Sequence, residues 1–144
     1  MTALLPGTTV FLVGHGSRED SGNQEIRDFV AQWRARQPGW RIELGFIEFA
    51  PPSLHDGLLA AAHGARRVLV LPLILNAAGH VKMEIPEAIE HARAHRPQVE
   101  FLYGPHLSAC DPILDILRRQ LRQAMARLDM PDPRSEEHTS ELQS

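Results

Sequence analysis

The sequence predicts an α/β fold, an open parallel four-stranded sheet flanked by helices. Short apolar runs, rich in β-branched and aromatic residues, alternate with longer segments whose apolar positions recur at helical spacing. Glycine or proline stands at most boundaries between the two kinds. Parallel strands joined by helices cross over right-handedly, and a chain of 144 residues fits one such domain.

Each element follows from its local pattern. Val10-Phe11-Leu12-Val13, bounded by Gly14, reads as a buried first strand. From Asn23 to Gln37, Ile26, Phe29, Val30 and Trp33 recur at helical spacing; Ser21 is the expected N-cap, and Pro38-Gly39 ends the helix. Trp40 to Phe49 reads as a second strand. Pro51-Pro52-Ser53 opens a helix to about His63, closed by Gly64. Arg67 to Ile74 is the most apolar stretch and belongs centrally in the sheet. A loop from Leu75 to His80 leads to a helix from about Lys82 to Ala94, with Pro86 in its first turns. Val99 to Tyr103 is the fourth strand. Asp111-Pro112 then starts a helix striped with Ile113, Leu114, Leu117, Leu121, Met125 and Leu128.

Composition excludes several function classes. A net charge of −3, without a basic stripe interleaved with aromatics, points away from nucleic acid. No apolar run approaches the roughly 20 residues that span a membrane, and Met1 to Pro6 lack the basic region of a secretory leader. A single cysteine, Cys110, allows no internal disulfide and fits a reducing compartment, so the expected location is cytoplasmic. Eight histidines in so short a chain direct attention to metal ligands.

Three connections should share the carboxyl edge of the sheet, where α/β folds place their ligands. They are the Gly14-His15-Gly16 turn, Glu48 with its neighbours, and Asn76-Ala77-Ala78-Gly79-His80. The first reads equally as a structural glycine turn or as a site. An imidazole there can ligate a metal or accept a proton near neutral pH. Two imidazoles and a carboxylate around one cleft suit a divalent first-row metal, with coordination positions left open. The small residues before His80 leave room for a flat ligand. Elsewhere, His55 and His63 lie on the second helix, and the His91/His95 pair reads as a solvated helix face. His106 could reach the rim after the fourth strand.

Three segments, in order, carry a family resemblance: Leu12-Val13-Gly14-His15-Gly16-Ser17-Arg18, then Phe46-Ile47-Glu48-Phe49-Ala50-Pro51-Pro52-Ser53-Leu54, then Leu71 to Pro86 with Asn76-Ala77-Ala78-Gly79-His80 inside it. Together they resemble the CbiX/SirB-type sirohydrochlorin chelatases, the class II tetrapyrrole chelatases, over about residues 8 to 128. The resemblance implies a chelatase-like, flavodoxin-like architecture and insertion of Co²⁺ into sirohydrochlorin for cobalamin, with Fe²⁺ insertion for siroheme as the alternative. It implies His15 as proton acceptor and metal ligand, His80 as second ligand, and Glu48 beside substrate or metal. Leu75, Asn76, Ala77, Ala78 and Gly79 would line the tetrapyrrole face. One departure is Glu84, where the family commonly has aspartate.

The metal is then a substrate, and no prosthetic group is expected. The macrocycle carries many carboxylates, for which Arg18 and Lys82 are candidate partners. A non-catalytic metal or tetrapyrrole carrier is the rival reading. A flat tetrapyrrole exceeds one small lobe, which implies either a homodimer or a second lobe in the same chain. Residues 1–130 are expected to form the lobe, and 131–133 to begin a linker to a second one. Residues 134–144 look like a translated sequencing-adapter oligonucleotide or a disordered tail and are set apart from the fold.

Overall fold

A computed structural model describes residues 4–74, 81–106 and 111–127. The elements alternate as β1 (Thr8–Gly14), α1 (Asp20–Arg36), β2 (Arg41–Phe46), α2 (Leu54–Ala62), β3 (Arg67–Pro72), α3 (Val81–His95), β4 (Glu100–Tyr103) and α4 (Asp111–Arg127). All strand pairings are parallel, and the order across the sheet is β2-β1-β3-β4. The expected fold class holds, and β3 lies inside the sheet as its apolarity predicts. The chain divides into two compact units, Met1–Leu107 and Ser108–Ser144. Within the second, α4 carries its apolar residues at helical spacing.

Strand order sets where a ligand can sit. β1 pairs with β2 on one side and β3 on the other, so the strand order reverses direction between β1 and β3. Such a switch point is where open α/β sheets place their ligands, at the carboxyl ends of the strands. The core of the first unit follows the pleat. Phe11 and Val13 of β1 pack with Val68, Val70 and Phe101 against α2 and α3, including Leu58, Ile85 and Ile89. Val10 and Leu12 point the other way, with Ile42 and with Val30 of α1. The Phe11 ring is so closely enclosed that a Cβ on Gly45 or Gly57 would lie 2.5 or 2.8 Å from it.

Several boundaries differ from the sequence reading: β3 ends at Pro72 rather than Ile74, where its pairing with β1 stops at Val13. β2 ends at Phe46 rather than Phe49, because its ladder partner β1 stops at Gly14, directly opposite. α1 starts at Asp20, with Glu19 rather than Ser21 in the N-cap position. The end of α2 is tied down by Arg41, whose guanidinium donates to the carbonyls of Ala60 and His63 at 2.7 Å each. The Ala60 carbonyl also accepts from the His63 N–H at 3.2 Å, so the guanidinium reinforces the helix end there.

Candidate functional site

The β1–α1 connection is held from beneath by a buried amide. Asn23, 4% exposed, accepts from the Ser17 N–H and donates to the Ser17 carbonyl, both at 2.8 Å. Ser17 Oγ in turn accepts from the Glu19 N–H at 3.1 Å. His15 stands exposed above this anchor. Its Nδ1 lies 3.1 Å from the Gly16 carbonyl oxygen. A carbonyl can only accept, so Nδ1 carries the hydrogen in that contact, and the neutral ring keeps its lone pair at Nε2.

The β2–α2 connection is fastened to the first by main-chain bonds. The Ile47 N–H donates to Gly14 and the Glu48 N–H to His15, each at 3.0 Å. Gly16 makes this approach possible. Its φ is 90°, and a Cβ there would fall 1.7 Å from the Glu48 carbonyl oxygen. The chain then turns tightly: the Ala50 N–H donates to the Glu48 carbonyl at 2.8 Å, around Phe49 at φ 66°. A cis Pro51-Pro52 bond follows. Ser53 caps α2, accepting from the Asp56 N–H at 3.2 Å. Arg27 of α1 braces the segment, reaching the Pro51 carbonyl at 3.4 Å and lying 5.4 Å from the Phe46 ring centroid.

Comparison with known proteins decides the family. The CbiX family model matches residues 9–124. The chain belongs to the CbiX family. It is 36% identical over 128 residues to the sirohydrochlorin cobaltochelatase of Priestia megaterium, covering 85% of this chain and 40% of that one. It is 34% identical over 115 residues to that organism's sirohydrochlorin ferrochelatase, covering 79% and 43%. This CbiX-family chain therefore spans less than half the length of these relatives. Among solved structures, the Marinobacter aquaeolei VT8 CbiX protein shares the fold, with TM-score 0.70 at 21% identity over 83% of this chain and 98% of that one. Bacillus subtilis SirB in complex with cobalt has TM-score 0.63 at 33% identity, covering 69% and 43%.

Within this CbiX-family fold, main-chain bonds join the connection that carries His15 and Arg18 to the one that carries Glu48, and Arg18 lies over the Phe49 ring. Glu48 comes to the rim on the turn after β2 and not, as expected, on the strand itself. Lys82 is exposed in the first turn of α3. The β3–α3 connection leaves beside β1, since the Leu73 N–H donates to Val13 at 2.7 Å. Leu75, Asn76, Ala77, Ala78, Gly79 and His80 lie outside the described residues. Tyr103 ends β4, where burial pushes its phenol up from its ordinary value and favours the protonated form.

The remaining histidines make a separate group. His91 and His95 are exposed, as expected for a solvated face, with ring centroids 4.4 Å apart; His55 of α2 meets His91 at 5.3 Å. Among the described residues, no group of three or more His, Cys, Asp or Glu side chains is placed to hold a metal ion. Sequence reasoning missed Asn23 and Phe49. Asn23 did carry a signal, a polar residue on the same stripe as Ile26 and Val30. Phe49 carried none, because an aromatic after Ile47 suits a strand equally well.

Proposed function

We propose that this chain is a lobe of a sirohydrochlorin chelatase that inserts Co²⁺ into the macrocycle for cobalamin biosynthesis. The observation that supports it most is the coupling of the His15 turn to the Glu48 turn at the carboxyl edge of the sheet, in a chain related to a sirohydrochlorin cobaltochelatase over 85% of its length. Insertion removes two pyrrole protons while the hydrated metal sheds its waters. His15 Nε2, left with a lone pair by the contact at Nδ1, binds the incoming metal or takes a pyrrole proton. His80 is the second imidazole in this reading, and Glu48 offsets metal charge and relays protons. Leu75 to Gly79 line the macrocycle face, and Arg18 and Lys82 hold its carboxylates. With so few protein donors, coordination positions stay open, as release of the metal to the macrocycle requires.

The chain covers 40% of the cobaltochelatase and 43% of the ferrochelatase. In this reading a second similar lobe, or a second copy of the chain, closes over the macrocycle. Fe²⁺ insertion for siroheme is the second reading, favoured by 34% identity to the ferrochelatase and by likeness to a SirB structure holding Fe³⁺ at TM-score 0.62. Side-by-side metallation assays with Co²⁺ and Fe²⁺, followed by sirohydrochlorin absorbance, test both. Wild type should metallate with Co²⁺ ahead of Fe²⁺, and His15→Ala and His80→Ala should each lose about 100-fold or more. Wild-type turnover by both variants would overturn the assignment. Co²⁺ binding without any metallation would support a carrier instead.

A further inference from the structure

Phe49 is a residue whose conformation the fold alone does not repay. Its φ of 66° lies in the left-handed region, which glycine adopts freely and a bulky side chain adopts at a cost. A buried ring would offset that cost, but this one is 55% exposed. The turn that holds it is nevertheless well made, with the Ala50 N–H on the Glu48 carbonyl at 2.8 Å and the Glu48 N–H on His15 at 3.0 Å. Strained non-glycine residues of this kind cluster at ligand sites, where the surrounding structure fixes them. Here the strained residue stands directly after Glu48 on the rim.

Arg18 completes the arrangement from the neighbouring connection. Its guanidinium carbon lies 5.0 Å from the centroid of the Phe49 ring, and its side chain is itself exposed. An aromatic face draws the cation and keeps it beside the ring. The guanidinium still has a fork of N–H donors that matches a carboxylate. The pair therefore presents an apolar π surface and an anion-binding group side by side.

We propose that Phe49 and Arg18 form a recognition edge for a flat, conjugated macrocycle fringed with carboxylates. Phe49 packs against the ring system, and Arg18 holds one peripheral carboxylate. The proposal rests on the chelatase reading and deepens it by assigning substrate recognition to residues that bind no metal. The preset backbone turn holds the ring in place before the ligand arrives, which reduces the ordering lost on binding.

The test is titration of the chain with metal-free sirohydrochlorin, followed by absorbance and tryptophan quenching, for wild type, Phe49→Gly, Phe49→Trp and Arg18→Gln. Phe49→Gly suits the left-handed backbone, so the turn is kept while the ring is lost. Its macrocycle Kd should rise about 10-fold, with Co²⁺ affinity and thermal midpoint close to wild type. Phe49→Trp should bind within about 3-fold of wild type, because stacking surface is retained. Arg18→Gln should weaken binding about 10-fold, and less at high salt, where the ion pair is screened. In turnover, Phe49→Gly should raise KM more than it lowers kcat. Wild-type affinity in both Phe49→Gly and Arg18→Gln would overturn the recognition edge alone. A wild-type protein that binds no macrocycle even as a dimer or joined to its second lobe would overturn the chelatase reading along with it.

Discussion

The connections after β1 and after β2 reach the same rim and are held by opposite means. The first is shaped by side chains: buried Asn23 takes both polar groups of Ser17, and Ser17 Oγ accepts from the Glu19 N–H. The second is shaped by its own backbone, through the Ile47 and Glu48 N–H bonds to the first connection and the tight turn at Phe49. Glycine stands at φ 90° in the first, where the second passes closest, whereas phenylalanine occupies φ 66° in the second, where space is open. One position admits no side chain, while the other carries a large one at a conformational cost. The rim thus has a rigid base beneath His15 and a preset, solvent-facing ring beside it.

Substitutions that exchange these properties should separate the two. Gly16→Ala should have the largest effect on stability. Its Cβ would overlap the Glu48 carbonyl, so urea unfolding should show a loss of about 3 kcal/mol or more, combining overpacking with left-handed strain. Asn23→Asp comes next. It keeps the shape but replaces the donor to Ser17 with an oxygen facing a carbonyl, which should cost about 1–3 kcal/mol in the same measurement. Metallation should fall with it as His15 loosens. Phe49→Gly should shift stability by only about 1 kcal/mol in either direction, since relief of φ strain opposes the extra freedom of the unfolded chain. If Gly16→Ala is tolerated as well as Phe49→Gly, the close approach at Gly16 does not set the stability of the rim.

The sequence made the alternation of elements readable, because each apolar run and helical stripe is a local pattern. Pairing partners and register are not local. β2 was expected to run to Phe49, yet the length of a strand depends on its neighbour, and β1 ends at Gly14. The early start of α1 has a similar origin, since Asn23, inside the helix, fixes Ser17 and directs the chain into the helix at Asp20. His15 and Glu48 could be read as rim residues because parallel strands share a direction. That their connections touch through Gly16 could not, because it depends on the β1–β2 register. The Arg18–Phe49 contact joins two connections for the same reason, and the chain order alone carries no trace of it.

In the proposed mechanism His15 works through the Nε2 lone pair at this rim. The most direct measurement is the rate of Co²⁺ insertion into sirohydrochlorin by wild type and His15→Ala at matched folded fraction, checked by thermal unfolding. His15 is exposed, so His15→Ala should unfold within a few degrees of wild type and insert Co²⁺ about 100-fold or more slowly. Equal rates for the two folded proteins would contradict it.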